Sequence, residues 1–158
     1  MLTDLQGIDL DSHLHPFTNF SDIETHGALV IKRASGTTVQ DVNGRKYLDA
    51  MAGLWCCDVG YGRTEIAEAI AEQAHELAFF HSFFGMATEP TIRLADRLKE
   101  MMPWPIARVF FGCSGSDAND TQIKLIWLYN NLRGAPEITK ILSRRSAYHG
   151  ITLGASSM

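Results

Sequence analysis

One run constrains this chain more than any other: Arg108 to Arg133, RVFFGCSGSDANDTQIKLIWLYNNLR. It opens on the β-rich apolar stretch Val109-Phe110-Phe111 and breaks at Gly112. It then passes through the small residues Cys113, Ser114, Gly115 and Ser116 before settling into a helical pattern. A second β-rich run, Thr139 to Leu142, follows the helix and a turn at Ala135-Pro136. Strands joined by a helical crossover are parallel and nearly always right-handed, so Arg108 to Leu142 reads as a βαβ unit. The Gly115-Ser116 turn and the later Tyr148-His149-Gly150 turn then both follow carboxyl ends of strands in one sheet and open onto the same edge. An α/β fold is expected.

The chain before this unit has a different character. Ala28 to Ala34, Thr37 to Val42 and Arg45 to Asp49 are β-rich, and Asn43-Gly44 is the dipeptide of a two-residue hairpin turn. This predicts a small antiparallel meander with a boundary near Asp49. Residues 1–27 show no clear period and read as loop with short helical turns. The connection from Ala50 to Gly62 is too apolar for a solvent loop, so it is expected to be covered or to line a cavity, with Trp55 its most informative residue. Arg63 to Phe80 and Glu89 to Met102 carry helical apolar stripes, and Pro90 suits a first turn. Between them, Phe83 and Phe84 are expected to pack into a pocket or against another subunit.

Composition narrows the class of function. With 158 residues, 46% hydrophobic and 20% charged, the chain suits one globular domain, and a net charge of -4 gives no electrostatic reason to expect nucleic acid or a membrane surface. The first residues, MLTDLQGIDLDSHLHPF, include early acids and no continuous apolar core, so neither a signal peptide nor a membrane span is expected, and the cytoplasm is the expected location. Cys56, Cys57 and Cys113 are odd in number and include an adjacent pair, which argues for reduced, mostly buried thiols.

The turn after Phe111 has anion-binding chemistry. Main-chain N–H groups at Gly115, Ser116 and Asp117, with the Ser114 and Ser116 hydroxyls, form a possible phosphate cup at a helix N-terminus. The run fits neither G-x-x-x-x-G-K-[ST] nor G-x-G-x-x-G, which removes most support for a nucleoside triphosphate. Ser and Asp are equally ordinary helix caps, and on the residues alone both readings stay open. Tyr148 on the neighbouring turn offers an aromatic face that suits a flat phosphorylated ring. His13 and His15 flank Leu14, an arrangement that on a strand would present two imidazoles on one face. No apolar strand precedes them, Pro16 follows, and no matching Asp/His cluster appears later, so they read as exposed polar loop and no metal is expected.

Four runs in register resemble the N-terminal part of the class III aminotransferases, most closely the ω-transaminases that use pyruvate as amino acceptor. They are D-x-N-G-R-K-Y-L-D-A-M-A-G-L-W-C from Asp41 to Cys56, G-Y-G-R from Gly60 to Arg63, F-F-G-C-S-G-S-D-A-N-D-T from Phe110 to Thr121, and A-Y-H-G-I-T from Ala147 to Thr152. The resemblance implies a fold-type I enzyme using pyridoxal 5′-phosphate, acting on an amine and a keto acid and working as a homodimer. Residues 1–49 would then belong to a small domain and 50–158 to the beginning of the large cofactor-binding domain, whose mostly parallel sheet carries helices on both faces. It further implies that Gly115 and Ser116 bind the cofactor phosphate and that Tyr148 stacks on the pyridine ring. Phe17 and Trp55 would line the substrate pocket, and Phe83 or Phe84 would reach into the partner's site. Gly150 is assigned to backbone shape, and His149 is left between positioning and structure.

The family's Schiff-base Lys and its pyridinium-pairing acid lie downstream of the Tyr-His-Gly turn and have no counterpart in these residues. Lys32, Lys46, Lys99, Lys124 and Lys140 fall in strands, turns and helices the family does not use for catalysis, so no catalytic residue is assigned. The chain reads as an N-terminal fragment expected to be inactive alone. An aminomutase or decarboxylase relative, or a non-catalytic phosphate-binding or dimerisation module, are the alternative readings.

Overall fold

The computed structural model describes residues 3–158, which divide into two compact units on either side of the Phe79–Phe80 peptide bond. Each is built around different local chemistry.

The first unit opens with two helices where loop was expected, α1 (Asp4–Ser12) and α2 (Phe20–His26). Local capping explains the difference. The Thr3 hydroxyl accepts the Gln6 N–H at 3.3 Å while the Gln6 side chain accepts the Thr3 N–H at 3.0 Å, a reciprocal capping box that starts α1 without an apolar stripe. Asn19 caps α2 by accepting the Ser21 N–H at 3.2 Å.

The expected meander follows as β1 (Ile31–Ser35), β2 (Thr38–Asp41) and β3 (Lys46–Leu48), antiparallel in the order β1-β2-β3. Arg33 pairs with Gln40 and Ser35 with Thr38, then Thr38 with Leu48 and Gln40 with Lys46. The hairpin between β2 and β3 is not the two-residue turn that Asn43-Gly44 suggested. Asp41 C=O accepts the Gly44 N–H at 3.1 Å, Asp41 N–H donates to Arg45 C=O at 3.0 Å, and only Gly44 takes a positive φ, +86°. This is a three-residue loop closed by a glycine bulge. The Asp41 side chain selects it: Oδ1 accepts the Asn43 and Arg45 N–H groups, both at 2.9 Å, and Oδ2 accepts the Tyr47 hydroxyl at 2.8 Å. Burial pushes the Asp41 carboxyl up, but the Tyr47 hydroxyl and the two N–H donors outweigh it and hold the group below the ordinary carboxylate range.

The Ala50 to Gly62 connection is tied to this meander. Gly36 and Tyr61 exchange backbone hydrogen bonds at 3.0 and 2.8 Å, and α3 (Ala52–Trp55) is a single turn whose residues all have φ between +49° and +66°. The unit closes with α4 (Thr64–Leu77), whose apolar residues Ile66, Ile70 and Leu77 stay exposed.

The second unit contains α5 (Glu89–Met101), α6 (Gly115–Leu132) and α7 (Leu153–Ser156). Pro90 occupies the first turn of α5, as its fixed φ favours. The C-terminus of α6 ends in a Schellman motif: Gly134 at φ +80° lets its N–H reach Asn131 C=O at 3.1 Å and the Ala135 N–H reach Asn130 C=O at 2.9 Å.

The two runs expected to flank α6 as parallel strands, Val109 to Phe111 and Thr139 to Leu142, form no ladder among the described residues. A strand persists by pairing its N–H and C=O groups with a neighbour, and these runs neither pair with each other nor meet a third strand. Side chains of α6 take up part of the second run instead. Trp127 Nε1 donates to Thr139 C=O at 2.8 Å, and the buried Asn130 donates to Ile138 C=O at 2.7 Å while accepting Arg133 Nε at 3.0 Å.

Candidate functional site

The start of α6 is set by Ser114, whose hydroxyl accepts the Asp117 N–H at 3.1 Å. Asp117 returns a bond from its own carboxylate to the Cys113 N–H at 3.1 Å, closing the small-residue turn on itself. A Cβ at Gly112 would lie 2.6 Å from that Asp117 oxygen, so any larger residue there would displace the Asp117 carboxylate from the turn. The N–H groups of Gly115 and Ser116 have no acceptor among the described residues and lie at the positive end of the helix. A Cβ at Gly115 would meet nothing within 4 Å, so space is open beside Gly115, while Ser116 is buried against the Tyr148 turn.

The second turn is brought to α6 by three of its side chains. Asn119 Nδ2 donates to His149 C=O at 2.6 Å, the Ser116 hydroxyl accepts the Ile151 N–H at 3.0 Å, and Asp120 Oδ1 accepts both the Thr152 hydroxyl and the Ala155 N–H at 2.9 Å. The last of these anchors the start of α7. Gly150 sits at φ +133°, and any Cβ there would lie 2.8 Å from Ser116 Cβ and 2.9 Å from Ala155 Cβ. Its assignment to backbone shape thus has a physical cause, the close approach of the turn to α6. Tyr148 projects from this turn with 72% of its surface exposed, leaving a ring face available. His149 Nε2 is shielded from solvent and has no hydrogen-bond partner, a buried polar atom left free beside the turn.

The structure thus places Gly115, Ser116 and Tyr148 on two turns of the same unit that α6 locks together. The Asn119 bond reaches thirty residues ahead, and the sequence pattern singles out neither Asn119 nor Asp120 as an anchor. Nothing in the spacing of these polar residues on a helix marks them, because helical Asn and Asp are ordinarily solvent-facing.

In the first unit, Trp55 projects from the left-handed turn α3. Left-handed conformations are disfavoured by about 1–2 kcal/mol per non-glycine residue, so α3 needs support. Asp49 supplies it: Oδ1 accepts the Met51 N–H at 3.0 Å, and Oδ2 accepts the Gly53 N–H and the Tyr61 hydroxyl, each at 2.7 Å. The Tyr61 hydroxyl, then the Gly53 N–H, hold the Asp49 carboxyl below its usual range, while the same bond pushes the Tyr61 phenol well above its own.

Phe17, Trp55, Phe83 and Phe84 are 89%, 77%, 71% and 91% exposed, so the described residues of this chain do not cover them, and what is left of the expectation is a cavity wall or a contact with another subunit. Their backbone is unusual. Among the described residues, the non-glycine positions with positive φ are Phe17, Ala52, Leu54, Trp55, Phe84 and Ser146. Three of these are candidate pocket residues, two flank Trp55, and Ser146 lies two before Tyr148. The thiols also differ from expectation: Cys56, Cys57 and Cys113 are free, as predicted, but Cys56 and Cys113 are exposed.

A glycine-started helix with two free N–H groups, tied to a turn that carries an exposed Tyr, is the arrangement a phosphorylated aromatic cofactor fits. The model of the family "Aminotransferase class-III" matches residues 20–158, and the chain belongs to that family. Its members depend on pyridoxal 5′-phosphate, and the chain has the N-terminal part of their fold-type I architecture. It is 46% identical to an uncharacterized aminotransferase of Sinorhizobium fredii, over 99% of this chain and 34% of that protein. It is 40% identical to the putrescine–pyruvate aminotransferase of Pseudomonas aeruginosa, over 97% of this chain and 34% of that one. The ω-transaminase of Pseudomonas jessenii, solved in complex with PMP, superposes with a TM-score of 0.95 at 41% identity, over 98% of this chain and 34% of that structure. The chain spans about a third of the length of these relatives. No helix of the described residues is long and apolar enough to cross a membrane.

Proposed function

We propose that this chain is the phosphate-holding portion of a pyridoxal 5′-phosphate aminotransferase that moves an amino group from an amine or ω-amino acid to a keto acid such as pyruvate. The observation that carries the reading is the pairing of the free Gly115 and Ser116 N–H groups with a Tyr148 turn fastened to the same helix by Ser116, Asn119 and Asp120. Bound there, the cofactor supplies an electron sink for bond changes at the amine-bearing carbon. The chain's own residues do the holding. Gly115 and Ser116 donate N–H groups to the phosphate, and the Ser116 hydroxyl, which accepts from Ile151, still has its proton to donate. Tyr148 lies against the ring.

Phe17 and Trp55 line the substrate pocket in this reading, and Phe83 or Phe84 reaches into the partner's site in a homodimer. Their exposure in the single chain and the left-handed backbone at Phe17, Trp55 and Phe84 support it, because strained conformations cluster where a side chain must be aimed. Residues 1–49 belong to the small domain and residues 50–158 to the start of the large one. Three free cysteines accord with a reducing compartment, the cytosol. The 158 residues alone do not transaminate, since none of Lys32, Lys46, Lys99, Lys124 and Lys140 lies in the α6 cradle or the Tyr148 turn.

Titrating the chain with pyridoxamine 5′-phosphate, which needs no lysine, tests the cradle. Saturable binding that inorganic phosphate displaces and that unphosphorylated pyridoxamine does not reproduce is expected; equal binding of the two amines overturns it. Borohydride treatment with pyridoxal 5′-phosphate tests the second claim. Reduction onto one specific lysine, accompanied by amine transfer, would show the chain to be competent by itself.

A further inference from the structure

The first unit carries a cluster that the aminotransferase reading does not use. Asp9 lies in the last turn of α1, and His13 is the residue that caps that helix, its N–H donating to Asp9 C=O at 2.8 Å. That bond and the helix fix the Asp9–His13 spacing, and Pro16 restricts the backbone of His15 before it. The three side chains converge. His13 Nδ1 lies 3.0 Å from Asp9 Oδ1 and His15 Nε2 lies 2.8 Å from Asp9 Oδ2, so each carboxylate oxygen faces a different imidazole. The two rings are 4.1 Å apart between centroids, and one donor atom from each of the three residues falls within 4.8 Å of the others. On sequence, the places for a partner were a strand and residues later in the chain; the helix instead brings the earlier Asp9 to His13 and His15.

We propose that Asp9, His13 and His15 form a binding site for a late first-row divalent cation, zinc foremost. Two imidazole nitrogens and one carboxylate oxygen are a donor set suited to zinc, nickel or copper, whereas calcium and magnesium take oxygen. A zinc ion with donors at about 2.0–2.2 Å on tetrahedral corners holds them roughly 3.4 Å apart, so the imidazole that faces the ligating Asp9 oxygen need shift by only tenths of an ångström, and the other imidazole closes in from a spacing within 4.8 Å. The cation takes the place of the protons now shared between carboxylate and rings. Asp9 and His15 side chains are 18% and 21% exposed while His13 is 58% exposed, which shelters two donors and leaves a solvent side where water completes the coordination. All donors come from seven consecutive residues, so binding orders little additional chain.

The test is zinc chloride titrated calorimetrically into the chelator-treated 158-residue chain. One zinc per chain is expected, with affinity reduced at least tenfold in Asp9→Asn and in the double variant His13→Ala/His15→Ala, and unchanged in His26→Ala. In the unsubstituted chain, zinc should shift the ring resonances of His13 and His15 while those of His26, His75, His81 and His149 stay, a readout that needs no variant to fold. Wild-type affinity in the double variant, or shifts spread over all six histidines, overturns the proposal.

Discussion

Tyr61 donates its hydroxyl to Asp49 Oδ2 at 2.7 Å, on the same oxygen that accepts the Gly53 N–H at 2.7 Å. One carboxylate thus links the turn that follows β3 to the left-handed turn that projects Trp55. Because the Tyr61 hydroxyl and the Gly53 N–H lower the folded-state value of Asp49, its stabilising contribution is fully present above the unfolded carboxylate value of about 4 and is lost as pH falls through the folded value. Trp55 emission, read in a background with Trp104 and Trp127 replaced by Phe, should therefore change on the acid side with the turn. Asp49→Asn should abolish that acid-side change and lower the thermal midpoint by a few degrees, because an amide nitrogen cannot accept the Gly53 N–H. An unaltered acid profile in the variant would separate α3 from Asp49.

Asp120 is the second anchoring carboxylate, and its effect falls on the other unit. Asp120→Ala leaves the Ala155 N–H without its acceptor and the Thr152 hydroxyl with only its 3.5 Å contact to Ser116 C=O, a loss of about 1–3 kcal/mol. The variant should melt earlier and bind pyridoxamine 5′-phosphate several-fold more weakly, since α7 loses its tie to α6 and only the Asn119 and Ser116 bonds still hold the Tyr148 turn. Asp120→Asn, which keeps an accepting oxygen, should recover most of both. Failure of the conservative variant to do better than alanine would mean that shape, and not hydrogen bonding, joins α7 to α6.

Gly150 tests the same junction by filling it. Gly150→Ala places a methyl against the Ser116 side chain and Ala155 Cβ and adds strain at φ +133°, so destabilisation of about 2–3 kcal/mol is expected. Urea unfolding reads it directly through the midpoint at unchanged slope. Gly115→Ala, where a Cβ meets nothing, should leave stability near wild type and instead weaken phosphate binding by crowding the free N–H groups.

Much of this was legible from residue patterns because the signals were local. The meander, the helices α4 to α6 and the Ser114 cap follow from period, turn residues and capping chemistry within a few positions. The hairpin loop was misjudged by one residue because the Asp41 carboxylate, not the Asn43-Gly44 dipeptide, decides its geometry. The two flanking strands were legible as β-prone runs but not as a ladder, since pairing depends on neighbours that local sequence does not name. In the candidate site, the Ser114-capped helix start and the Tyr148 turn were legible as local patterns, whereas the contacts of Asn119, Asp120, Asp49 and Asp9 were not. Each acts through a partner whose approach is created by folding, across a turn of helix or across thirty residues of chain.

Tyr148 remains the sharpest probe of the aromatic half of the cradle. Its side chain is 72% exposed and makes no side-chain hydrogen bond among the described residues, while the turn beneath it is held by Asn119 and Ser116 through backbone atoms of His149 and Ile151. Removing the ring should therefore leave the turn intact, and Tyr148→Ala should melt within about 0.5 kcal/mol of wild type, as surface substitutions do. Its affinity for pyridoxamine 5′-phosphate should nevertheless fall about five- to tenfold, the loss of an aromatic contact of about 1–1.5 kcal/mol. Tyr148→Phe keeps the face and should bind like wild type. If phenylalanine binds as poorly as alanine, the hydroxyl and not the ring holds the ligand; if alanine binds as well as tyrosine, Tyr148 has no part in the site.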